Sequence, residues 1–160
     1  LEARIQRCCL QAIRAGLLRS AHDCSDGGLA VALAESCLVG QVGLECDADS
    51  ILRLMRRDGC RLDSLLFGES QSRIVVSLAP ERLRELELLA AEAGVPLAVL
   101  GVVRPGDGET ARRGDDGDGG AAVEPRAGDG ARFRLGRWID LPVLALWEAW
   151  DGGLERLLED

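Results

Sequence analysis

The run His22-Asp23-Cys24-Ser25-Asp26-Gly27-Gly28 leads without a break into Leu29-Ala30-Val31-Ala32-Leu33-Ala34. No other junction constrains the fold so tightly. A polar loop ending in two glycines must hand the chain to a helix that is apolar almost all round. Such a helix has to be buried, so other elements must cover it. The spacing predicts a helix from about Gly27 to Val39, with Asp26 as its N-cap and Gly40 at the position after its end.

Other segments supply the cover. Leu1, Ile5, Cys8, Cys9, Ala12 and Ile13 recur at helical spacing, with Arg4, Arg7, Gln11 and Arg14 opposite, and Gly16 or Ser20 ends that helix. His22–Gly28 reads as a loop. Val42–Cys46 reads as a short strand, then Ser50–Arg57 as a helix capped by Asp47 or Asp49, Asp58-Gly59 as a turn and Arg61–Phe67 as a further short helix. Gly68–Ser72 is a polar loop before Arg73–Leu78, the clearest strand signal in the chain. Pro80 opens a helix carrying Leu83, Leu86, Leu89 and Ala90, closed by Gly94. Val95–Val103 and Arg132–Trp138 read as strands. Asp140 caps a last helix with Pro142 in its first turn, which Gly152-Gly153 is placed to break. Residues 105–130 are Gly- and Asp-rich and read as an exposed, flexible insertion. Helices and strands mix without a βαβ rhythm and no GxGxxG occurs, which points to an α+β domain over a doubly wound one.

A length of 160 residues fits one domain with a sizeable core, and 47% apolar content excludes disorder. The net charge of −8 excludes nonspecific nucleic-acid binding. No apolar run reaches the ~20 residues of a membrane span. The first residues are charged and periodic, unlike a signal peptide. With no initiator methionine, the chain reads as a fragment of a larger protein or a processed start. All 19 basic residues are arginine, so no phosphate-binding or Schiff-base lysine is available. The six cysteines form no CxxC pair, and one histidine is too few for zinc-site spacing. Reduced thiols in a cytoplasmic protein are the simplest account.

Two loops offer chemistry. At a helix start the first amides lack internal partners, and Gly27 and Gly28 would let a phosphate approach them, with Ser25 adding a hydroxyl. Asp23 and Asp26 would repel that phosphate unless Asp23 holds Mg²⁺ and Asp26 caps the helix. A plain capped turn with a structural glycine pair is the other reading. His22 is either a general base or a ring that satisfies a backbone carbonyl. In the second loop Glu69, Ser70, Gln71 and Arg73 suit a phosphorylated or polyhydroxylated ligand. Arg73 equally suits a structural pairing with Glu69.

These residues resemble a known family. His22–Glu35 is similar to the HDxSDGGLxxALAE motif of phosphoribosylformylglycinamidine synthase, and Leu66–Arg73 resembles its LFGESxxR segment. Gly94-Val95-Pro96 with Leu100–Val103, and Ile139–Pro142 through Trp150, resemble its later segments. The aminoimidazole ribonucleotide synthetase, hydrogenase-maturation and thiamine-monophosphate kinase relatives carry different glycine motifs. A domain of one of those enzymes, or a noncatalytic interaction domain, is the alternative.

The resemblance implies the second C-terminal domain of the small type of synthetase. Its expected fold is α+β, a mixed or antiparallel sheet layered with helices, like the C-terminal domain of aminoimidazole ribonucleotide synthetase. The implied reaction uses ATP, Mg²⁺ and glutamine-derived ammonia. It converts formylglycinamide ribonucleotide to the amidine, with ATP activating the formamide oxygen for displacement. The implied partners are the upstream domains of the same synthetase, a glutaminase subunit and a small bridging subunit. Asp23 would contact magnesium, Ser25, Gly27 and Gly28 the nucleotide, and Glu69, Ser70, Gln71 and Arg73 the substrate. His22 and Asp26 would support the loop, and no catalytic residue is assigned. The nucleotide in this half either reacts or is structural, and the isolated domain is expected to be inactive.

Overall fold

A computed structural model describes residues 1–105 and 130–158, residues 151–158 as helical backbone only. The expected insertion at about 105–130 therefore lies almost wholly outside the described residues. In chain order the elements are α1 (Glu2–Arg14), β1 (Leu18–Asp23), α2 (Gly28–Gly40), β2 (Val42–Cys46), α3 (Ala48–Asp58) and α4 (Leu62–Phe67). Then follow β3 (Ile74–Leu78), a 3-10 turn (Pro80–Arg82), α5 (Leu83–Glu92), β4 (Gly101–Pro105), β5 (Arg132–Leu135), β6 (Ile139–Pro142) and α6 (Val143–Leu158). This is the expected α+β class with a mixed sheet.

The chain divides into two compact units. Residues 1–33 and 52–100 form the first. Its sheet is a two-stranded ribbon in which β1 and β3 run antiparallel, pairing His22 with Val75 and Asp23 with Ile74. Ala12, Leu17 and Leu86 are buried together, with Leu18, Val76, Leu78 and Leu89 packed around them. A two-stranded ribbon is marginal alone, so α1 and α5 supply the apolar cover it needs. Pro80 sits at the start of its turn, where its missing N–H costs nothing. Gly94, at φ +60, ends α5 with Val95 N donating to Ala90 O at 2.8 Å.

Residues 34–51 and 101–160 form the second unit. Its four strands lie in the order β4-β2-β5-β6. β2 runs parallel to β5 and antiparallel to β4, and β5 runs antiparallel to β6. Leu44, Cys46, Phe133, Leu135 and Val143 are buried there. Burial pushes the Cys37 thiol up to about 11 and the Cys46 thiol up to about 12, the nearby Cys37 adding to the latter. All six cysteines are free thiols. No helix among the described residues is long and apolar enough to cross a membrane.

Several expectations need correction. Leu18–Asp23 is a strand, so His22 and Asp23 belong to a sheet instead of a loop. The strand expected at Val95–Val103 is confined to Gly101–Pro105, the stretch that finds a partner in β2. Asp140 does not cap α6. It sits in β6 and pairs with Arg132 at 2.7 Å and Arg134 at 3.1 Å. Those arginines, the Arg132 hydrogen bond first, hold its carboxyl below the usual range. Asp47 is the cap of α3, accepting from Ser50 N at 3.2 Å. Gly40 is the last residue of α2, and Gln41 takes the left-handed position at φ +50. The α6 backbone runs through Gly152-Gly153 unbroken.

Candidate functional site

In an antiparallel ribbon, the end of one strand lies beside the start of the other. The segment leaving β1 and the segment entering β3 therefore emerge at the same end. The ladder runs one step past the strands, where Cys24 N donates to Arg73 O at 2.9 Å. That bond places residues 24–28 beside residues 68–73, although some 45 positions of chain separate them (~45 residues span far more than one strand). Both loops lie in the first unit.

The two loops meet backbone to backbone. Gly27 and Gly28 both hold positive φ, +76 and +71, which side-chain-bearing residues rarely adopt. A Cβ on Gly28 would lie 2.8 Å from the Gly68 carbonyl oxygen and 2.9 Å from the Phe67 carbonyl carbon. A Cβ on Gly68 would collide with Ser64 O. The Gly68 overlap is local to α4, whereas sequence reasoning misses the approach of Gly28 to residues 66–68, because nothing local to Gly28 carries that signal. The contact exists only because α4 ends against the start of α2.

The amides expected to be open to an anion are both engaged. Gly27 N donates to Glu69 Oε1 at 3.1 Å, and Gly28 N donates to Ser25 O at 3.1 Å. The glycine pair thus serves the path of the backbone, and the Glu69 carboxylate, from the other loop, occupies the first amide. Asp26 lies two residues before Gly28, where α2 begins.

Arg73 also departs from the expected geometry. Its guanidinium faces its own loop: Nη1 donates to Leu65 O at 2.9 Å, Nη2 to Gly68 O, and Nε to Ser70 O at 3.4 Å. The Glu69 carboxylate is bonded to Gly27 instead of to this guanidinium. His22 Nδ1 donates to the Asp23 carbonyl at 2.6 Å, so that nitrogen satisfies a backbone acceptor. Burial pushes the Cys24 thiol up, against the Arg73 guanidinium and with the Asp23 carboxylate, which makes it a poor nucleophile.

What remains at the surface is a set of polar side chains. Asp23 is exposed at the end of β1, Ser25 and Asp26 on the first loop, and Glu69, Ser70 and Gln71 on the second. Among the described residues no group of three or more His, Cys, Asp or Glu side chains is placed to hold a metal ion. Mg²⁺ commonly takes one or two carboxylates, several waters and substrate phosphates.

Two loops braced at one end of a ribbon, beside a helix start, make up the candidate site of an α+β domain. Residues 1–114 match the family described as AIR synthase related protein, C-terminal domain, and the chain belongs to that family. It is 39% identical over 154 residues to phosphoribosylformylglycinamidine synthase subunit PurL of Thermomicrobium roseum, covering 96% of this chain and 17% of that protein. It is 38% identical over 162 residues to the same subunit of Synechocystis sp., covering 99% and 17%. It is 47% identical over 100 residues to that of Moorella thermoacetica, covering 62% and 13%. The resemblance carried by the two loop motifs is thereby borne out. The chain spans less than a fifth of the length of these relatives.

Proposed function

We propose that this chain is a C-terminal module of an ATP-dependent amidoligase. The larger enzyme would convert formylglycinamide ribonucleotide and glutamine-derived ammonia to the amidine in purine biosynthesis, in the cytoplasm. Its partners would be the upstream synthetase domains, a glutaminase subunit and a small bridging subunit. One observation carries the reading: the two motif loops leave the same end of the β1–β3 ribbon, locked by Cys24 N to Arg73 O and Gly27 N to Glu69 Oε1, with their polar side chains exposed. The similarity to the PurL subunits supports the choice of reaction.

Within this reading Asp23 is the Mg²⁺ ligand and Ser25 a nucleotide contact. Mg²⁺ supplies charge neutralisation at the nucleotide phosphates when bound. Gly27 and Gly28 act by shaping the nucleotide loop. His22 and Asp26 flank it, His22 holding the carbonyl of the very residue that binds the ion. Ser70 and Gln71 offer hydrogen bonds to a phosphorylated ribose, and Glu69 keeps the second loop against the first. A carboxylate that is braced before the ligand arrives needs less ordering on binding.

The test is Mg²⁺-nucleotide titration of the complete polypeptide carrying this domain, alongside turnover with its ammonia source. Asp23→Asn should weaken Mg²⁺-nucleotide binding at least tenfold, about 1.4 kcal/mol, and leave Mg²⁺-free binding nearly unchanged. Equal affinity for the Mg²⁺-nucleotide in both proteins removes the metal role of Asp23. Absence of amidine formation by the intact enzyme removes the whole reading.

A further inference from the structure

We infer that Arg73 is a positioning residue that holds both loops in register, and that it does not itself grip the ligand. The inference deepens the proposed function and rests on that reading. The guanidinium carries five N–H donors in a rigid planar fork. Here it spans Leu65 O near the end of α4, Gly68 O just past that end and Ser70 O within the loop. Three carbonyls separated along the chain are thus gathered on one cation. Two lie at or beyond the last turn of α4, where the exposed carbonyl ends of the helix favour positive charge. The backbone of the same residue accepts from Cys24 N at 2.9 Å, which ties the first loop. Arg73 is therefore bonded to both loops through different atoms, side chain to its own and main chain to the other.

The loop it holds carries Glu69, whose Oε1 reaches Gly27 N at 3.1 Å. Freeing the guanidinium would release Gly68 and Ser70, and with them Glu69 and the path of residues 24–28. Ser72, at φ +65, makes this stretch a poor candidate for holding its own shape. A lysine cannot replace the strap. Its compact ammonium lacks the planar fork that reaches three acceptors in different directions. A phosphate-gripping arginine behaves differently, since lysine keeps the positive charge.

The experiment uses the complete polypeptide with three variants, Arg73→Lys, Arg73→Ala and, as a control, Ser70→Ala combined with Gln71→Ala. Affinity is measured by calorimetry for formylglycinamide ribonucleotide and by competition for the same compound without its phosphate. Hydrogen exchange is followed in peptides spanning 22–29 and 66–73. We expect Arg73→Lys to lose at least tenfold in affinity for both compounds and to speed exchange in both loops, with millimolar guanidinium restoring part of the loss in Arg73→Ala. Should Arg73→Ala fail to fold, Arg73→Lys decides alone. Unchanged exchange in the 22–29 peptide, or a loss that vanishes for the phosphate-free compound, overturns the inference. Faster exchange with no affinity change in any variant, the control included, leaves the strap standing and overturns the ligand reading instead.

Discussion

Replacing Gly28 by alanine isolates the contact that joins the two loops. Position 28 has φ +71, so any Cβ there is strained by about 1–2 kcal/mol. The new methyl would also lie 2.8 Å from Gly68 O, 2.9 Å from Phe67 C and 3.1 Å from Leu66 O. All three are backbone atoms, so no rotamer change relieves the overlap, and α4 or the loop must move. Overpacking of this kind costs about 1–3 kcal/mol. Alanine recovers roughly 0.4–1 kcal/mol by restricting the unfolded chain. The net loss is about 2–4 kcal/mol. Gly59 is the internal control, because it has φ +63 and a Cβ there would meet nothing within 4 Å. Gly59→Ala should therefore lose only about 1 kcal/mol, from the backbone strain less the unfolded-state gain. In urea melts with a slope of about 2 kcal/mol/M, the two midpoints should differ by roughly 0.5–1.5 M. Equal midpoints would falsify the backbone-to-backbone packing of the loops, since only that packing distinguishes the two positions.

The thiols of the second unit give a pH signature. With Cys37 raised to about 11 and Cys46 to about 12 from 9.0, their contribution to stability is complete below pH 9 and falls as pH rises towards 12. Each adds a slope of about 1.4 kcal/mol per pH unit while only the unfolded thiol is ionised. Urea melts between pH 8 and 11 check this, and a flat profile contradicts it. At pH 8 both thiols should resist iodoacetamide in the native chain and react in urea, read by mass spectrometry, because the thiolate is the nucleophile. Leu135, wholly buried in β5, should cost about 2–5 kcal/mol when cut to alanine. A loss under 1 kcal/mol would show that the sheet closes over the gap.

Much of the architecture is legible in the sequence because it rests on local signals. The apolar stretch after Gly28 does form a helix, with Leu29, Ala30, Ala32, Leu33 and Cys37 buried and Val39 exposed at its end. Val42–Cys46 and the apolar face of α5 are equally plain, since each repeats at the period of its own element. β1 is not legible. Arg19, Ser20 and Ala21 are exposed, so the strand has no apolar alternation, and it exists through pairing with β3 far along the chain. Asp140 misleads for the same reason. An aspartate before Pro142 reads as a cap, yet β5 captures it through two arginines.

The candidate site divides along the same line. Residue types alone bring Asp23, Ser25, Glu69, Ser70 and Gln71 forward, because a carboxylate, hydroxyls and an amide advertise their chemistry wherever they stand. Only the tertiary structure decided what their neighbours do. It committed the Gly27 amide to Glu69, turned the Arg73 guanidinium onto three carbonyls, and packed Gly28 against the backbone of residues 66–68. Side-chain chemistry is a property of the residue, whereas the direction of a hydrogen bond and the closeness of two backbones depend on which distant segments the fold brings together.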